Sequence, residues 1–213
     1  MRNHGTFIVF EGGEGSGKDT QINRLKKRYE NREDVVFTRE PGGTELGEKI
    51  RSLLLSQDSK GMAVQTELLL FVAARAQLVG EVIKPALNDG KIVISNRFAL
   101  STIAYQIYGR DRHRYLPFLQ EIGPFVANYC VPNAYILLDV TPEVGLARVE
   151  ERNDGKTRFD AEALEFHRRV REGYLEHVGI GQYHKIINAD APLDEVSRHI
   201  DELMPHLDAR LAA

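Results

Sequence analysis

The chemistry begins at Gly12-Gly13-Glu14-Gly15-Ser16-Gly17-Lys18, which follows the apolar run Thr6-Phe7-Ile8-Val9-Phe10 and opens a segment with helical periodicity. The spacing from Gly12 to Gly17-Lys18 fits the phosphate-binding pattern G-x-x-x-x-G-K-[ST] up to its last position. Glycines let such a loop turn through positive φ and bring successive N–H groups against phosphate oxygens. A helix that starts at the phosphates adds the attraction of its partial positive end, and Lys18 places a compact charge near the β- and γ-phosphates. Where a Ser or Thr hydroxyl would reach Mg²⁺, this chain has Asp19, with Thr20 one residue later. The loop predicts nucleoside triphosphate binding with an altered metal side.

Arginine supplies the second set of candidates. Arg39 and Arg97 each stand just past an apolar run, and a guanidinium pairs phosphate bidentately, so the two suggest an acceptor phosphate facing the donor. Ion pairing with carboxylates is the alternative at both positions. Arg148, Arg152 and Arg158 lie in or beside the polar segment 150–158, which reads as exposed and mobile. An arginine closing over a migrating phosphoryl group stabilises its equatorial oxygens, and a closed lid keeps water out. Phe71 and Arg75, four apart, share one helical face. A planar base could stack on the ring while the guanidinium reaches its carbonyl, although a phenylalanine taken alone is more often core. The seven histidines show no metal-ligand spacing, and the Arg110–Arg114 cluster reads as solvated surface.

These residues need a scaffold that brings them together. Val35–Thr38, Ile92–Ser95, Tyr135–Val140 and Lys185–Asn188 read as further strands, and the continuous apolar run at Ile92–Ser95 suits a parallel strand buried on both faces. Helical periodicity covers 18–30, 44–55, 65–88 with a bend at Pro85, 100–108, 114–130, 161–177 and 193–207, and Thr141 with Pro142 marks another start. Strand and helix alternate throughout, which predicts an α/β fold: a parallel sheet with helices on both faces. Ligands then collect beyond the carboxyl ends of the strands. The loops around Gly12, Arg39, Arg97 and Asp139 are expected to meet at one edge.

A chain of 213 residues suits one domain over 1–213 with a short mobile lid at about 150–160. Its formal net charge of −3 gives no support to a nucleic-acid partner. The single cysteine, Cys130, permits no intrachain disulfide and reads as a packed thiol. The five-residue apolar run before Glu11 is too short for a signal-peptide core or a membrane span, so a soluble cytoplasmic protein is expected.

With these motifs in this order, the chain resembles the thymidylate kinase family over nearly its full length. FIVFEGGEGSGK, FTREPGGTELGEKIRSLLL, LLLFVAARAQLV, IVISNRFALSTIAYQ, YILLDVTPEVGLARV and FHRRVREGYL carry the likeness. The resemblance implies a five-stranded parallel sheet of the P-loop type and transfer of the γ-phosphoryl of ATP to dTMP with Mg²⁺, in dTTP biosynthesis, by a homodimer. By position, Gly13, Glu14, Gly15, Ser16, Gly17, Lys18, Asp19, Thr20 and Arg148 would bind ATP. Glu14, Arg39, Phe71, Arg75, Arg97, Thr102, Tyr105 and Gln106 would bind dTMP. Lys18, Arg97, Arg152 and Arg158 would be catalytic, the last two because the P-loop has no arginine between Glu14 and Lys18. Glu14 would meet the acceptor 3′-hydroxyl, and Tyr105 would leave no room for a 2′-hydroxyl. The chain departs from the family pattern in three places: Asn96-Arg97 for Asp-Arg, Asp19 for Ser or Thr, and Ile107-Tyr108 where a Gly follows the Tyr-Gln pair. The first two lie on the metal side and are expected to compensate, with Asp19 as the Mg²⁺ partner. Alternatives are a nucleotide-binding module whose catalysis Asp19 and Asn96 have weakened, or a kinase for another deoxynucleoside monophosphate.

Overall fold

In a computed structural model describing residues 5–152, 157–179 and 183–212, five parallel strands run in the order β2-β3-β1-β4-β5. They are β1 (Thr6–Glu11), β2 (Val35–Arg39), β3 (Ile92–Asn96), β4 (Ala134–Asp139) and β5 (Tyr183–Asn188). The α-helices are α1 (Lys18–Arg28), α2 (Glu45–Leu55), α3 (Val64–Leu78), α4 (Lys84–Asn88), α5 (Ala99–Thr102), α6 (Leu116–Val126), α7 (Pro142–Glu150), α8 (Leu164–His177) and α9 (Leu193–Leu207).

The apolar runs are continuous because successive strand residues feed two cores. Phe7, Val9, Val93, Tyr135 and Leu137 pack on one face with Leu78, Ile83, Phe166 and Tyr174. Ile8, Phe10, Ile94, Ile136 and Leu138 face the other, against Ile22 and Leu25 of α1 and Val196 and Ile200 of α9. Register then sets the site. Arg39 of β2 lies opposite Asn96 of β3, and Asn96 opposite Phe10 of β1. The chain therefore leaves all three strands in one row, and Glu40, Arg97 and Glu11 emerge along the same sheet edge.

Several boundaries differ from the sequence reading. The expected 65–88 helix is interrupted by a π-helical stretch at Val79–Ile83 before α4, so the irregularity lies upstream of Pro85, whose ring nitrogen cannot donate to the ladder. The 100–108 helix is mostly π-helical, at Ile103–Gly109. There Ile107 is buried in a core with Leu68 and Leu119, and the Tyr108 ring lies where a Cβ at Gly173 would come within 2.7 Å of it. Glycine on α8 thus makes room for the bulk at Tyr108. The 114–130 helix shrinks to α6 and the 161–177 helix to α8, while β5 begins two residues early. Pro142 opens α7, but the Thr141 hydroxyl turns to Asp190 instead of capping it. Cys130 is a buried thiol. Among the described residues no helix is long and apolar enough to cross a membrane.

Candidate active site

The phosphate loop takes the strained path its glycines permit, with φ of +150° at Gly12, +68° at Gly15 and +83° at Gly17, and Gly17 leads into α1 without a side-chain cap. The first N–H groups of α1 are left for a ligand. Lys18 curls back over the loop, its Nζ donating to Gly12 O, Gly13 O and Ser16 Oγ, each at 2.8 Å. Burial, with Arg97 close by, draws its pKa down to about 7, against the pull of Glu14 and Asp19.

Arg97 faces Lys18 directly. Its Nη1 donates to the same Gly12 carbonyl at 3.0 Å and to Tyr174 Oη at 2.8 Å, and its Nη2 reaches Glu14 Oε1 at 3.0 Å. Tyr105 donates to that Glu14 oxygen at 2.7 Å, and its ring lies 4.9 Å below the guanidinium. Burial opposes ionisation of Glu14, yet Arg97, Lys18 and the Tyr105 hydroxyl hold it at about 2. Arg97 has φ of +72°, a costly conformation for a side chain of this size. Glu11 holds that turn from beneath: fully buried, it accepts from Phe98 N at 2.9 Å, Ser101 N at 3.2 Å and Ser101 Oγ at 2.6 Å.

A cleft of about 490 Å³ opens between these groups. It is lined by Glu14 to Thr20 of the phosphate loop and the start of α1, by Arg148 and Arg152, and by Arg39, Asn96 and Arg97 at the strand ends. Arg148 donates to Ala189 O at 2.7 Å, close to the loop carbonyl of Gly15. Arg39 is half exposed, lines the cleft and is paired with Glu48 at 2.9 Å, which is the ion-pair alternative for this residue. Phe71, Tyr105 and Gln106 also line the cleft, and the Phe71 ring packs against Phe159, 6.1 Å between centroids.

Four predicted residues, Gly13, Arg75, Thr102 and Arg158, lie outside the cleft wall, Gly13 lining a smaller neighbouring cavity with Val140 and Pro142. Arg75 is buried in a bidentate pair with Glu40 and donates to Thr102 Oγ1 at 2.8 Å, so Arg75 and Thr102 meet each other. Arg158 is also buried, donating through Nη1 to Glu67 at 2.6 Å and through Nε to Leu54 O. The expectation of an exposed 150–158 segment is corrected at this end, because Arg158 finds a carboxylate inside the fold. Residues 153–156 of the expected lid lie outside the described residues. Arg110 is likewise not solvated surface; Glu67 and Glu162 both pair with it.

Other participants escaped the sequence reading. Arg51 lines the cleft because Gly47, Arg51 and Leu55 recur at four-residue steps along one side of α2, and a lone arginine in that row was the available signal. Phe159, the lone aromatic of its polar stretch, closes over Phe71 and Tyr105. Gly145 of α7 touches the phosphate loop so closely that a Cβ there would sit 2.3 Å from Glu14 O. Nothing local to Gly145 announces that contact.

A phosphate loop and an opposing arginine at the carboxyl edge of a 2-3-1-4-5 parallel sheet define a P-loop nucleoside monophosphate kinase. The thymidylate kinase family profile matches residues 10–200. A thymidylate kinase of Maridesulfovibrio salexigens is 46% identical over 202 residues, covering 91% of this chain and 92% of its own. One of Clostridium novyi is 40% identical over 203 residues, covering 93% and 97%. The crystal structure of thymidylate kinase from Ehrlichia chaffeensis superposes with a TM-score of 0.74 at 31% identity, covering 94% of this chain and 98% of that one. The chain belongs to the thymidylate kinase family, and its activity is the phosphorylation of dTMP to dTDP with ATP.

Proposed function

We propose that Lys18 and the 13–18 amides hold the ATP phosphates, that Arg97 with Arg39 holds the dTMP phosphate, and that transfer occurs between them. The observation that carries this reading is the single Gly12 carbonyl shared by Lys18 Nζ and Arg97 Nη1, which sets the two cations against each other at the head of one cleft. Incoming phosphates would draw both off that carbonyl. Positioning and charge neutralisation then do the chemistry. The acceptor oxygen is already anionic, so no general base is required. Glu14, ionised and beside Tyr105, suits the acceptor sugar, and Phe71 suits the base. Arg148 and Arg152 are the arginines proposed at the transferred group; Arg158, tied to Glu67, is proposed to brace the wall behind Gln106.

Mg²⁺ is part of the proposal, and the residues present fit it. Asn96 Nδ2 donates to Asp19 Oδ1 at 2.6 Å, so the two departures from the family pattern touch, and the buried Asn96 Oδ1 has no partner among the described residues. No group of three or more metal-ligating side chains exists among those residues, which suits an ion that keeps several waters and leans on one or two carboxylates plus substrate phosphates. Asp19, fixed by Asn96, would be that carboxylate. Bound there, Mg²⁺ would neutralise charge developing on the phosphates.

A homodimer is proposed as well, supported by the exposed apolar side chains Leu69 on α3 and Phe118 and Phe125 on α6. A cytoplasmic location suits the unpaired thiol of Cys130. A coupled ADP-release assay with dTMP, dUMP, dCMP and dGMP tests the assignment. Turnover should be highest with dTMP and should fall by orders of magnitude in Arg97→Ala. Ligand-induced thermal shifts with no ADP release from any acceptor would refute it.

A further inference from the structure

Glu67 is a fully buried carboxylate on α3 that takes no part in the phosphate chemistry. Its Oε1 accepts from Gln106 Nε2 at 2.9 Å and Arg110 Nε at 3.1 Å, and its Oε2 from Arg110 Nη2 at 3.0 Å and Arg158 Nη1 at 2.6 Å. Burial by itself would raise its pKa, but the hydrogen bonds and charges of Arg110, with Gln106 and Arg158, hold it below the ordinary range. An ionised carboxylate accepts and cannot donate. Gln106 must therefore turn its amide nitrogen toward Glu67. That orientation fixes the carbonyl Oε1, to which no described residue donates, on the side away from Glu67 with the second amide N–H beside it, and Gln106 lines the cleft together with Phe71 and Tyr105.

We propose that Glu67 is a specificity-determining positioning residue: by fixing the Gln106 amide, it fixes where the carbonyl acceptor stands at the base end of the cleft, and that acceptor selects a base presenting a ring N–H. Thymine and uracil offer that group at N3, where cytosine presents a lone pair. An acceptor facing an acceptor leaves both unpaired, and sites built around a hydrogen bond reject such mismatches strongly. Glu67 achieves this with no contact to the nucleotide. The inference rests on the proposed reading that Gln106 faces the base.

The test compares kcat/KM for dTMP and dCMP in wild type, Glu67→Gln, Glu67→Asp and Gln106→Met. A glutamine at 67 can donate or accept, so the Gln106 amide is free to flip. The dTMP-to-dCMP ratio should fall about tenfold or more, chiefly through gain of dCMP turnover. Glu67→Asp keeps an acceptor-only group and should keep the ratio even where rates drop. Gln106→Met removes the reader and should also lower the ratio. An unchanged ratio in Gln106→Met would show that Gln106 does not face the base, sinking the reading beneath the inference. A lowered ratio there with an unchanged one in Glu67→Gln would overturn the inference alone, as would equal losses for both acceptors in Glu67→Gln, the mark of a purely structural role.

If Glu67→Gln gives no cooperative melt, ¹⁵N NMR of the wild-type Gln106 side-chain amide, assigned by its loss in Gln106→Met, decides. An amide proton held by the carboxylate in both free and dTMP-bound protein supports fixation. A pair whose shifts move only on dTMP binding contradicts it.

Discussion

Replacing Glu11 by Gln separates stability from catalysis in a way the geometry dictates. Burial raises the Glu11 pKa, and Ser101, Arg97, the Phe98 amide and Lys18 only partly offset it, so the ionised form is less at home in the fold than in water. The sign follows. Above the ordinary carboxylate range the unfolded chain has lost this proton while the native state still favours it, so this group's contribution to stability declines as pH rises toward its folded pKa. A neutral isostere escapes that penalty, and Glu11→Gln should melt at or above the wild-type temperature at pH 8, with the difference shrinking at pH 5. Activity should go the other way. Where the wild-type carboxylate is ionised, the two backbone bonds from Phe98 and Ser101 that hold the strained turn at Arg97 are charge-assisted; in the variant they are neutral, a difference of about 1 kcal/mol each. The resulting ~2 kcal/mol of lost restraint corresponds to roughly 30-fold in kcat/KM for dTMP. Thermal melts at the two pH values and steady-state ADP release read both effects. Wild-type kcat/KM in the variant, or a larger loss of melting temperature at pH 8 than at pH 5, would refute the reasoning.

Asp19→Thr should shift the Mg²⁺ titration of ATP binding, because a carboxylate beside the phosphates repels them until the ion screens it; superimposable calorimetric curves would remove Asp19 from the metal side. Lys18, held near pH 7 in the free protein, should take up a proton when ATP phosphates arrive. Binding heats near pH 8 should then vary with buffer ionisation enthalpy, and affinity should weaken as pH rises above 7; heats independent of buffer would contradict this. Gly145→Ala places a methyl 2.3 Å from Glu14 O and must move the phosphate loop, so the KM for ATP should rise tenfold or more while the far-UV spectrum stays unchanged.

Arg158 shows where legibility ends. Its charge and its place in a polar stretch read as an exposed lid arginine, yet Glu67, 91 positions earlier, draws it inside the fold. Arg75 likewise has a partner its own helix does not announce, the buried Glu40, 35 positions earlier. In both cases a carboxylate distant in sequence offered a buried pair that neither local composition nor periodicity could announce. Arg97 and Lys18 were legible because their positions follow from strand ends and loop spacing alone.

The order of residues by itself determined the five strands, the glycine turn with its phosphate-loop spacing, and the set of arginines near the strand ends, since backbone conformation and two-sided burial are written in local pattern. Which arginines reach the cleft was decided only by tertiary structure. Charges pair with whatever carboxylate the packing brings near, and across the buried contacts of Glu11, Glu40 and Glu67 those partners come from elements far apart in the chain.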